Sequence, residues 1–546
     1  FLTSPALGQQ ASEQARLEGI ARAAAQRFEL ARPGSAADQT QPAAPETVQA
    51  TVGLSLDDAT ARALERNLEL AVERLNPQTF DLQIARLEAV YRPTAVSTIG
   101  KQSRLTPPTS TLNGGTIVDL DTTTYNTGLS QTLRSTGANL GFSFNNSKQI
   151  TTNNLVNYNP SFQNSFSIVA VQPLLRGLRI DSNRQQLRVT ALNRDISEIQ
   201  LRGTVATTLA NVRNAYWELL YAIQAAEVAG GSLDLAEKLV QDNRARVEVG
   251  TMAPLDVVQA EAEAATRRQA VAQAEATWRT AELALKRLIV NGTDDPLWRA
   301  SLNPIDRPTF APEPLNVEAA VRKALDARTD LDQARRTVEG NDVTLRFMKN
   351  QTLPAVDLTG IYGAQGLGGT QFRRAAGGGV NAPVIDTIPG GYADAFRALT
   401  GRDYPNWNLS LSVSYPLGGS AADAAYARAR VQRNQSAAQL RALELQVATD
   451  VTNAALQVEN GLKRYDASTA ARSLAQTRLE AEQSRFEVGL STNFFVVQAQ
   501  RDLSTAQNSE LRALLDYRRA LVDYQRAQEA PAARGAGITT INAAGN

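Results

Sequence analysis

Two long stretches without proline constrain this chain more than any other feature. No proline occurs inside 174–253 or inside 417–530. In the first stretch, apolar residues recur every three or four positions, the spacing of one buried helix face: Leu201, Val205, Leu209, Val212, Tyr216, Leu219 and Ile223. We therefore predict a helix from about Ile180 to Val247, which is ~100 Å long at 1.5 Å per residue.

A break and a second helix follow each long helix. The first break leads into a predicted helix from about Pro254 to Val290. The second proline-free stretch has its own apolar stripe, breaks at Gly489 and continues in helical pattern to about Gln528; the stripe is Val447, Val451, Ala454, Val458, Leu462 and Tyr465. The chain therefore contains two predicted helical hairpins.

The two hairpins belong to an internal duplication. Eight of fifteen residues are identical when Arg246–Ala260 is placed over Arg485–Ala499. Leu54–Leu70 likewise overlays Leu315–Leu331. Each half has the order helix, strands, long helix, break and second helix, with a period too long for a solenoid repeat. The sequence predicts two similar halves with one architecture.

One segment alternates as a membrane-exposed strand would. Its apolar positions are Trp407, Leu409, Leu411, Val413 and Tyr415, and the residues between them are Asn and Ser. A transmembrane β-barrel needs strands of about 9–11 residues with a lipid face, an aqueous face and aromatic rings at the interfaces. Phe162, Phe166 and Ile168 alternate in the matching part of the first half. A half-buried strand of a soluble sheet gives the same alternation, so that alternative stays open.

The residue types present exclude several function classes. The chain contains no His and no Cys, which removes imidazole and thiolate metal ligands, disulfides and a Ser-His-Asp triad. Its net charge of +1 gives no attraction to a nucleic-acid backbone. No apolar run is long enough for a transmembrane helix. We expect no enzyme activity, cofactor, metal or nucleic-acid partner. We interpret the Gly-rich Gly363–Gly391 as an extracellular loop.

The duplicated halves, the strand exits and the helix breaks resemble the TolC-like outer-membrane efflux protein family. The motifs are "VQPLLRG" at 171–177, "SYPLGGS" at 414–420, and the two breaks that end in Val-Val-Gln-Ala. The resemblance implies a mixed membrane β-barrel plus long α-helical barrel, in which three protomers share a twelve-stranded barrel and a periplasmic coiled-coil tunnel. Extra strand-like segments at Tyr125–Arg134 and Asn139–Lys148 depart from the family pattern and leave the strand count open.

These patterns divide the chain into nine predicted regions. They are a flexible N-terminal segment (1–53), a first-half helix (54–93), first-half barrel strands and loops (94–173), a long helical hairpin with its tip at 248–254 (174–290), an equatorial linker (291–316), a second-half helix (317–350), second-half strands and a loop (351–416), a second hairpin with its tip at 487–495 (417–529), and a flexible tail (530–546).

The two breaks are predicted to be the periplasmic tips. The resemblance implies that they dock an adaptor through Val249, Gly250, Thr251, Val488, Gly489, Leu490 and Ser491, and that Asp256, Phe495 and Gln498 occupy the positions of the pore gate. Phe495 replaces an often acidic residue of the family, so we expect an apolar constriction that closes by dewetting. The alternative, in which Phe494 and Phe495 pack between helices, remains open.

The predicted function is passive transport. The chain would be the outer-membrane exit duct of a tripartite efflux or type I secretion system in a Gram-negative bacterium, with its helices in the periplasm. The implied partners are two further copies of the chain, a periplasmic adaptor, an inner-membrane pump of the RND or ABC type, and outer-membrane lipid. The alternative is a trimeric coiled-coil surface fibre or adhesin. The transported substrate cannot be read from the residues.

Overall fold

The computed structural model describes residues 51–107, 117–307, 314–376 and 382–531. The N-terminal segment as far as residue 50 and the tail after residue 531 therefore lie outside the described residues. Thr51–Gly53 were expected to be flexible, but they belong to strand β1 (Thr51–Leu54), which pairs in parallel with β6 (Ser301–Pro304). Ala530 is fully buried.

Eleven helices lie within the described residues. They are α1 (Leu56–Arg66), α2 (Leu68–Glu73), α3 (Asn76–Ala89), α4 (Ser182–Glu248), α5 (Pro254–Ile289), α6 (Pro296–Arg299), α7 (Val317–Ala327), α8 (Thr329–Gln351), α9 (Tyr392–Gly401), α10 (Ala421–Glu487) and α11 (Asn493–Ala527). None of these helices is both long enough and apolar enough to cross a membrane.

The long helices follow the predicted stripes. α4 and α10 each contain 67 residues, about 100 Å at 1.5 Å per residue. Val212, Tyr216 and Leu219 are fully buried on α4. α5, α4, α11 and α10 pack side by side in that order, so α5 and α10 are the outer members of the row. Nearer the sheet, α8 packs against both α4 and α10.

Two segments predicted as single helices are each broken. The first, 54–93, contains α1, α2 and α3, and the second, 317–350, contains α7 and α8. Asn67 and Arg328 stand at the breaks with extended backbone, at ψ of 123° and 129°. Both side chains bond to carbonyls at the ends of other helices, which holds the chain in the bend.

The large sheet is antiparallel. Its strands are β2 (Thr94–Thr106), β3 (Val118–Thr132), β4 (Asn139–Thr151), β5 (Tyr158–Pro173), β7 (Ala355–Arg374), β8 (Val384–Ile388) and β9 (Tyr404–Ser414). The order is β2-β3-β4-β5-β7, and both β9 and β8 pair with β7, at its beginning and its end respectively. Three chains would close a twelve-stranded barrel with four strands each, whereas this sheet has six long strands.

The Gly-rich region corrects one prediction. Gly363–Gly369 lie within strand β7 and not in a loop, and helix α9 precedes β9. A Cβ at Gly366 or Gly368 would overlap the backbone of Ala395 in α9. The glycines are therefore needed for the close approach of helix α9 to strand β7. In the sequence alone, the same glycines have the composition of a loop.

The linker between the halves forms part of a buried core. The Tyr216 hydroxyl on α4 donates to the carbonyl of Leu54 at 3.0 Å, and it also bonds to the Asp306 carboxylate at 3.0 Å. The Asp306 carboxylate also accepts from the backbone N–H of Leu56 at 2.6 Å. Burial, together with the hydrogen bond to Asp306, raises the pKa of Tyr216 to about 12. These bonds attach β1 and the linker to the middle of α4.

Candidate channel wall and helical tips

One face of the large sheet is apolar. On β9, the predicted residues Trp407, Leu409, Leu411 and Val413 share this face and are between 59% and 77% exposed. Tyr415 lies one residue beyond the end of β9 and is also exposed. Side chains of directly paired residues point to the same face, and Trp407 is paired with Tyr362 of β7. The predicted set therefore forms one continuous apolar surface in a single chain.

This apolar face continues across the first half. Tyr362 is paired with Ile168, Ile168 with Phe142, and Phe142 with Leu129. The rings of Phe166 and Tyr362 lie 6.0 Å apart. The sequence identified the residues on β5, but it did not connect them with Phe142 and Leu129 because the register of four strands is needed to do so.

The opposite face is polar and concave. Its side chains line a cavity of about 590 Å³ that is walled by adjacent strands of the one sheet; they include Thr124, Asn126, Asn145, Ser147, Gln163, Ser165 and Gln365. These residues are uncharged and carry hydroxyl or amide groups. A sheet with an apolar outer face and a polar concave face has the two surfaces that a membrane barrel requires.

Helix α9 lies on the apolar face. Its Tyr392 hydroxyl donates to the side-chain oxygen of Asn146 at 3.0 Å, and its ring meets Phe162 edge to face at 6.2 Å. Ala395 and Leu399 are buried against the sheet, whereas Phe396 is half exposed. Sequence reasoning missed this helix, although the four-residue spacing of Ala395 and Leu399 was an available signal.

Both predicted tips are tight turns built on glycine. Gly250 and Gly489 have φ of +74° and +78°, a conformation that residues with a Cβ rarely adopt. The N–H of Thr251 donates to the carbonyl of Arg246 at 2.9 Å, and the N–H of Leu490 donates to that of Arg485 at 2.8 Å. Each bond satisfies a carbonyl at the end of a long helix, as in a Schellman motif.

The tips expose apolar side chains. Val249, Val488 and Leu490 are between 70% and 81% exposed. Thr251 is exposed, while Ser491 donates from its hydroxyl to Glu482 at 2.8 Å. Large apolar side chains at such exposure are more typical of an interaction surface than of a solvated turn.

The three predicted gate residues differ in their surroundings. Phe495 is 50% exposed, and its ring meets the ring of Phe494 at 5.6 Å. Asp256 is half-buried in the first turn of α5. The amide of Gln498 donates to Asp502 at 2.8 Å. Within one chain, neither phenylalanine ring is buried between helices.

A polar contact that the sequence did not reveal joins the two tips. The Asn243 amide donates to the side-chain oxygen of Asn493 at 3.1 Å, and the Asn493 amide donates to the carbonyl of Asp256 at 3.3 Å. Asn243 and Asn493 are both buried. Arg246 donates to the carbonyl of Phe486 at 3.3 Å and lies over its ring. Three hydrogen bonds therefore hold one tip against the other.

A buried carboxylate ties the hairpins together about two helical turns further on. Glu263 on α5 is 4% exposed and is paired with Arg267 of the same helix and with Arg501 of α11. Burial acts to raise the pKa of Glu263, but the hydrogen bond from Arg501 and the charge of Arg267 outweigh it and hold that pKa below its usual value. Gln498, Phe494 and Arg501 line a cavity of about 280 Å³ beside this pair.

Comparison with known proteins agrees with this architecture. The chain matches the family model for outer membrane efflux protein over residues 124–291 and 320–527. No curated protein sequence matches it significantly. It is similar to the CmeC outer membrane channel of Campylobacter jejuni, with a TM-score of 0.60 and 13% identity over 88% of this chain and 87% of that one.

Two further solved structures are similar. For VceC, an outer membrane protein of Vibrio cholerae, the TM-score is 0.60 and the identity 15%, over 87% of this chain and 96% of that one. For the open state of the MtrE outer membrane channel of Neisseria gonorrhoeae, they are 0.58 and 17%, over 88% and 90%. At this identity the structures show a shared fold, while the family model covers more than half of the sequence. The chain therefore belongs to the outer membrane efflux protein family and is an outer-membrane channel protein whose long helices extend into the periplasm.

Proposed function

We propose that three copies of this chain form the exit duct of a tripartite efflux or type I secretion system, which conducts substrates passively across the periplasm and outer membrane. The observation that carries the proposal is one sheet with an apolar face and a polar concave face, joined to hairpins about 100 Å long. Lipid contacts the first face and water fills the space behind the second.

The helices support assembly from several copies. α5 and α10 are the outer members of the row of four, and α10 carries Leu445, Leu456 and Leu474 between 49% and 73% exposed. Among the described residues of one chain, no helix covers these side chains, whereas a closed ring of helices buries them between neighbours.

The tips support docking of a periplasmic adaptor, which would link the duct to an inner-membrane pump of the RND or ABC type. The exposed Val249, Val488 and Leu490 are the apolar anchors of this proposed contact. A photo-crosslinking residue at Leu490 or Ser491 should capture an adaptor in intact cells. Capture of neither an adaptor nor another periplasmic protein would count against docking at this site.

We also propose that Phe495 closes the pore at the tip, because three copies of its half-exposed ring would form an apolar ring. Single-channel conductance with and without divalent cations tests this. The wild type should show little cation block, whereas Phe495→Asp should introduce a strong one. The same cation block in both proteins would refute the gate.

The duct itself is tested in outer-membrane fractions and planar bilayers. We expect trimers that dissociate to monomers on heating in detergent, together with stable ion conductance across a bilayer. A protein that forms surface fibres and conducts no ions would instead be an adhesin or structural fibre.

A further inference from the structure

Both edge strands of the large sheet lack a partner strand among the described residues. β2 and β9 flank the sheet, with 13 and 11 residues, and almost every residue of both is exposed. β2 begins at the helical end of the sheet and β9 returns to it, so the two edges run in opposite directions. Unpaired strands of this length are open to pairing with another chain.

We propose that β2 of one copy pairs antiparallel with β9 of the next, and that three copies close a barrel of eighteen long strands. This inference rests on the proposed trimeric duct and assigns six strands to each protomer. An even number of strands per copy preserves the antiparallel alternation around the ring.

The register between copies follows from the pairing within the chain. β7 starts directly after a helical segment and pairs its first residue, Ala355, with Ser414 of β9. β2 also starts directly after a helical segment, so Thr94 takes the equivalent place opposite Ser414 of the neighbouring copy. This register sets Ile99 opposite Leu409 on the apolar face, where both side chains are well exposed in one chain.

The β3–β4 hairpin, which raises the count from four strands to six, is built into the wall. β4 pairs with β5 from Asn139 to Gln149 without interruption. The hairpin also continues both faces of the sheet, with Phe142 on the apolar side and Asn145 on the polar side. A hairpin that lay outside the wall would have no reason to keep this alternation.

The turn of this hairpin is fastened to the helical end of the sheet. Arg134 pairs with Glu88 of α3 at 3.1 Å, and Arg184 of α4 donates to the carbonyl of Ser135 at 3.1 Å. The Gln172 amide donates to the carbonyl of Thr136 at 3.4 Å. The turn therefore fills the space between the start of β2, which follows α3, and the end of β5, which leads into α4.

Eighteen strands widen the duct at its exit. At equal strand tilt, barrel diameter grows roughly in proportion to strand number, so the bore is about 1.5 times that of a twelve-stranded barrel. The part of each chain that the structure describes still has four helices of 35 residues or more. We infer that the bore widens from the tunnel to the cell surface, which suits release of bulky hydrophilic cargo past the hydroxyl and amide groups that line the polar cavity.

Engineered cysteine pairs test the pairing of β2 with β9 between copies. The chain has no cysteine of its own, so every disulfide that forms comes from the introduced residues. Ile99→Cys with Leu409→Cys should give oxidant-dependent crosslinks between copies in outer membranes. Thr98→Cys with Leu409→Cys, on opposite faces, should give none. Failure of the first pair in a correctly inserted protein would reject closure of the ring through β2 and β9, and with it the proposed duct.

A second set of pairs isolates the strand count. Ser143→Cys with Ser167→Cys, which are directly paired on β4 and β5, should form a bond within one chain. In a twelve-stranded wall, β2 would instead lie beside β5, and Ile99→Cys with Ile168→Cys would crosslink. Crosslinking of the latter pair in place of the former would overturn the eighteen-stranded barrel while leaving the duct intact.

Deleting residues 118–151 provides a functional readout. β2 ends and β5 begins at the loop end of the sheet, so the deletion keeps the chain path and removes only the hairpin. In bilayers, the largest polyethylene glycol that enters the wild-type lumen from the extracellular side should be about 1.5 times wider than in the deletion variant. Equal size limits in two conducting proteins would contradict the wider bore; if the deletion variant does not insert, the disulfide pairs decide.

Discussion

The two halves of the chain match in their long helices and differ in their strands. α4 and α10 have 67 residues each, and α5 and α11 have 36 and 35. Within the described ranges, the first half supplies four long strands, whereas the second supplies two, together with β8 and α9. Because α4 packs along α11, a change in one hairpin would shift every contact with the other. A pair of strands, in contrast, can be added to the sheet without shifting the contacts between the two helical hairpins.

The match extends to positions where the residues differ. Asn67 donates its amide to the carbonyl of Leu288 at 3.0 Å, and Arg328, at the equivalent break of the second half, donates to the carbonyl of Ala527 at 3.3 Å. Both side chains are buried. One donor role is therefore kept by an amide in one half and a guanidinium in the other, which shows that duplication preserved the bond and not the residue.

Substitution of the buried side chains at the two helix breaks, Asn67 and Arg328, should give the largest effect on stability. Arg328 is buried and also bonds to Asp330 and Asp450 at 3.0 Å. Arg328→Met leaves those carboxylates unpaired, and we expect a loss of about 3 kcal/mol. Asn67→Ala, the matched control, should cost about 1 kcal/mol. Thermal loss of the helical circular dichroism signal measures both; equal losses would show that the charge adds nothing.

The hairpins also differ at a repeated acidic position. Glu263 is buried, whereas Asp502, 239 residues later, has a side chain 34% exposed and pairs with Arg478 at 2.7 Å. We expect Glu263→Gln to cost about 2 kcal/mol and Asp502→Asn less than about 1 kcal/mol, because exposed pairs contribute little. Urea unfolding of the purified protein at pH 7 measures the difference. A larger loss of stability in Asp502→Asn than in Glu263→Gln would contradict the role of Glu263 in holding the two hairpins together.

The same carboxylate predicts a pH dependence. Its folded-state pKa is lowered, so its contribution to stability is present above the unfolded pKa of about 4.3 and is lost as pH falls through the folded-state value. Wild type should therefore lose more stability than Glu263→Gln as the pH falls from 5 to the lowest pH at which both proteins remain folded. The melting temperature of each protein at each pH measures this loss.

The two tips should respond alike to loss of their glycines. Gly250→Ala and Gly489→Ala place a Cβ on backbone with positive φ, and each should cost about 1–2 kcal/mol. Similar losses in melting temperature would support equivalent turns. A neutral result at only one tip would show that the tips differ despite their matching hydrogen bonds.

The smallest expected effect lies in the middle of α4. Gly230 and Gly231 have open space where a Cβ would stand, and the equivalent second-half residues are Thr469 and Ala470. Each Gly→Ala change should stabilise the first hairpin by up to about 1 kcal/mol, since alanine loses less backbone entropy on folding. A lower melting temperature would indicate that neighbouring copies approach the helix there.

The sequence alone determined the periodic and repeated features of this protein. The long helices, the two glycine turns and the alternation of β9 each depend on neighbours a few residues away, so local spacing was sufficient to find them. The same patterns identified the family resemblance, which the family match confirms. The extra strand-like segments of the first half, at 125–134 and 139–148, were also visible as strands, but not as members of one wall.

Only the tertiary structure decided how distant segments meet. The sheet places Phe142 of β4 beside Ile168, the tip joins Asn243 to Asn493, and Glu263 finds Arg501. Gly366 and Gly368 looked like loop residues because nothing near them in sequence shows that α9 packs there. These features depend on strand register and helix packing between residues far apart in the chain, and local spacing carries no information about either.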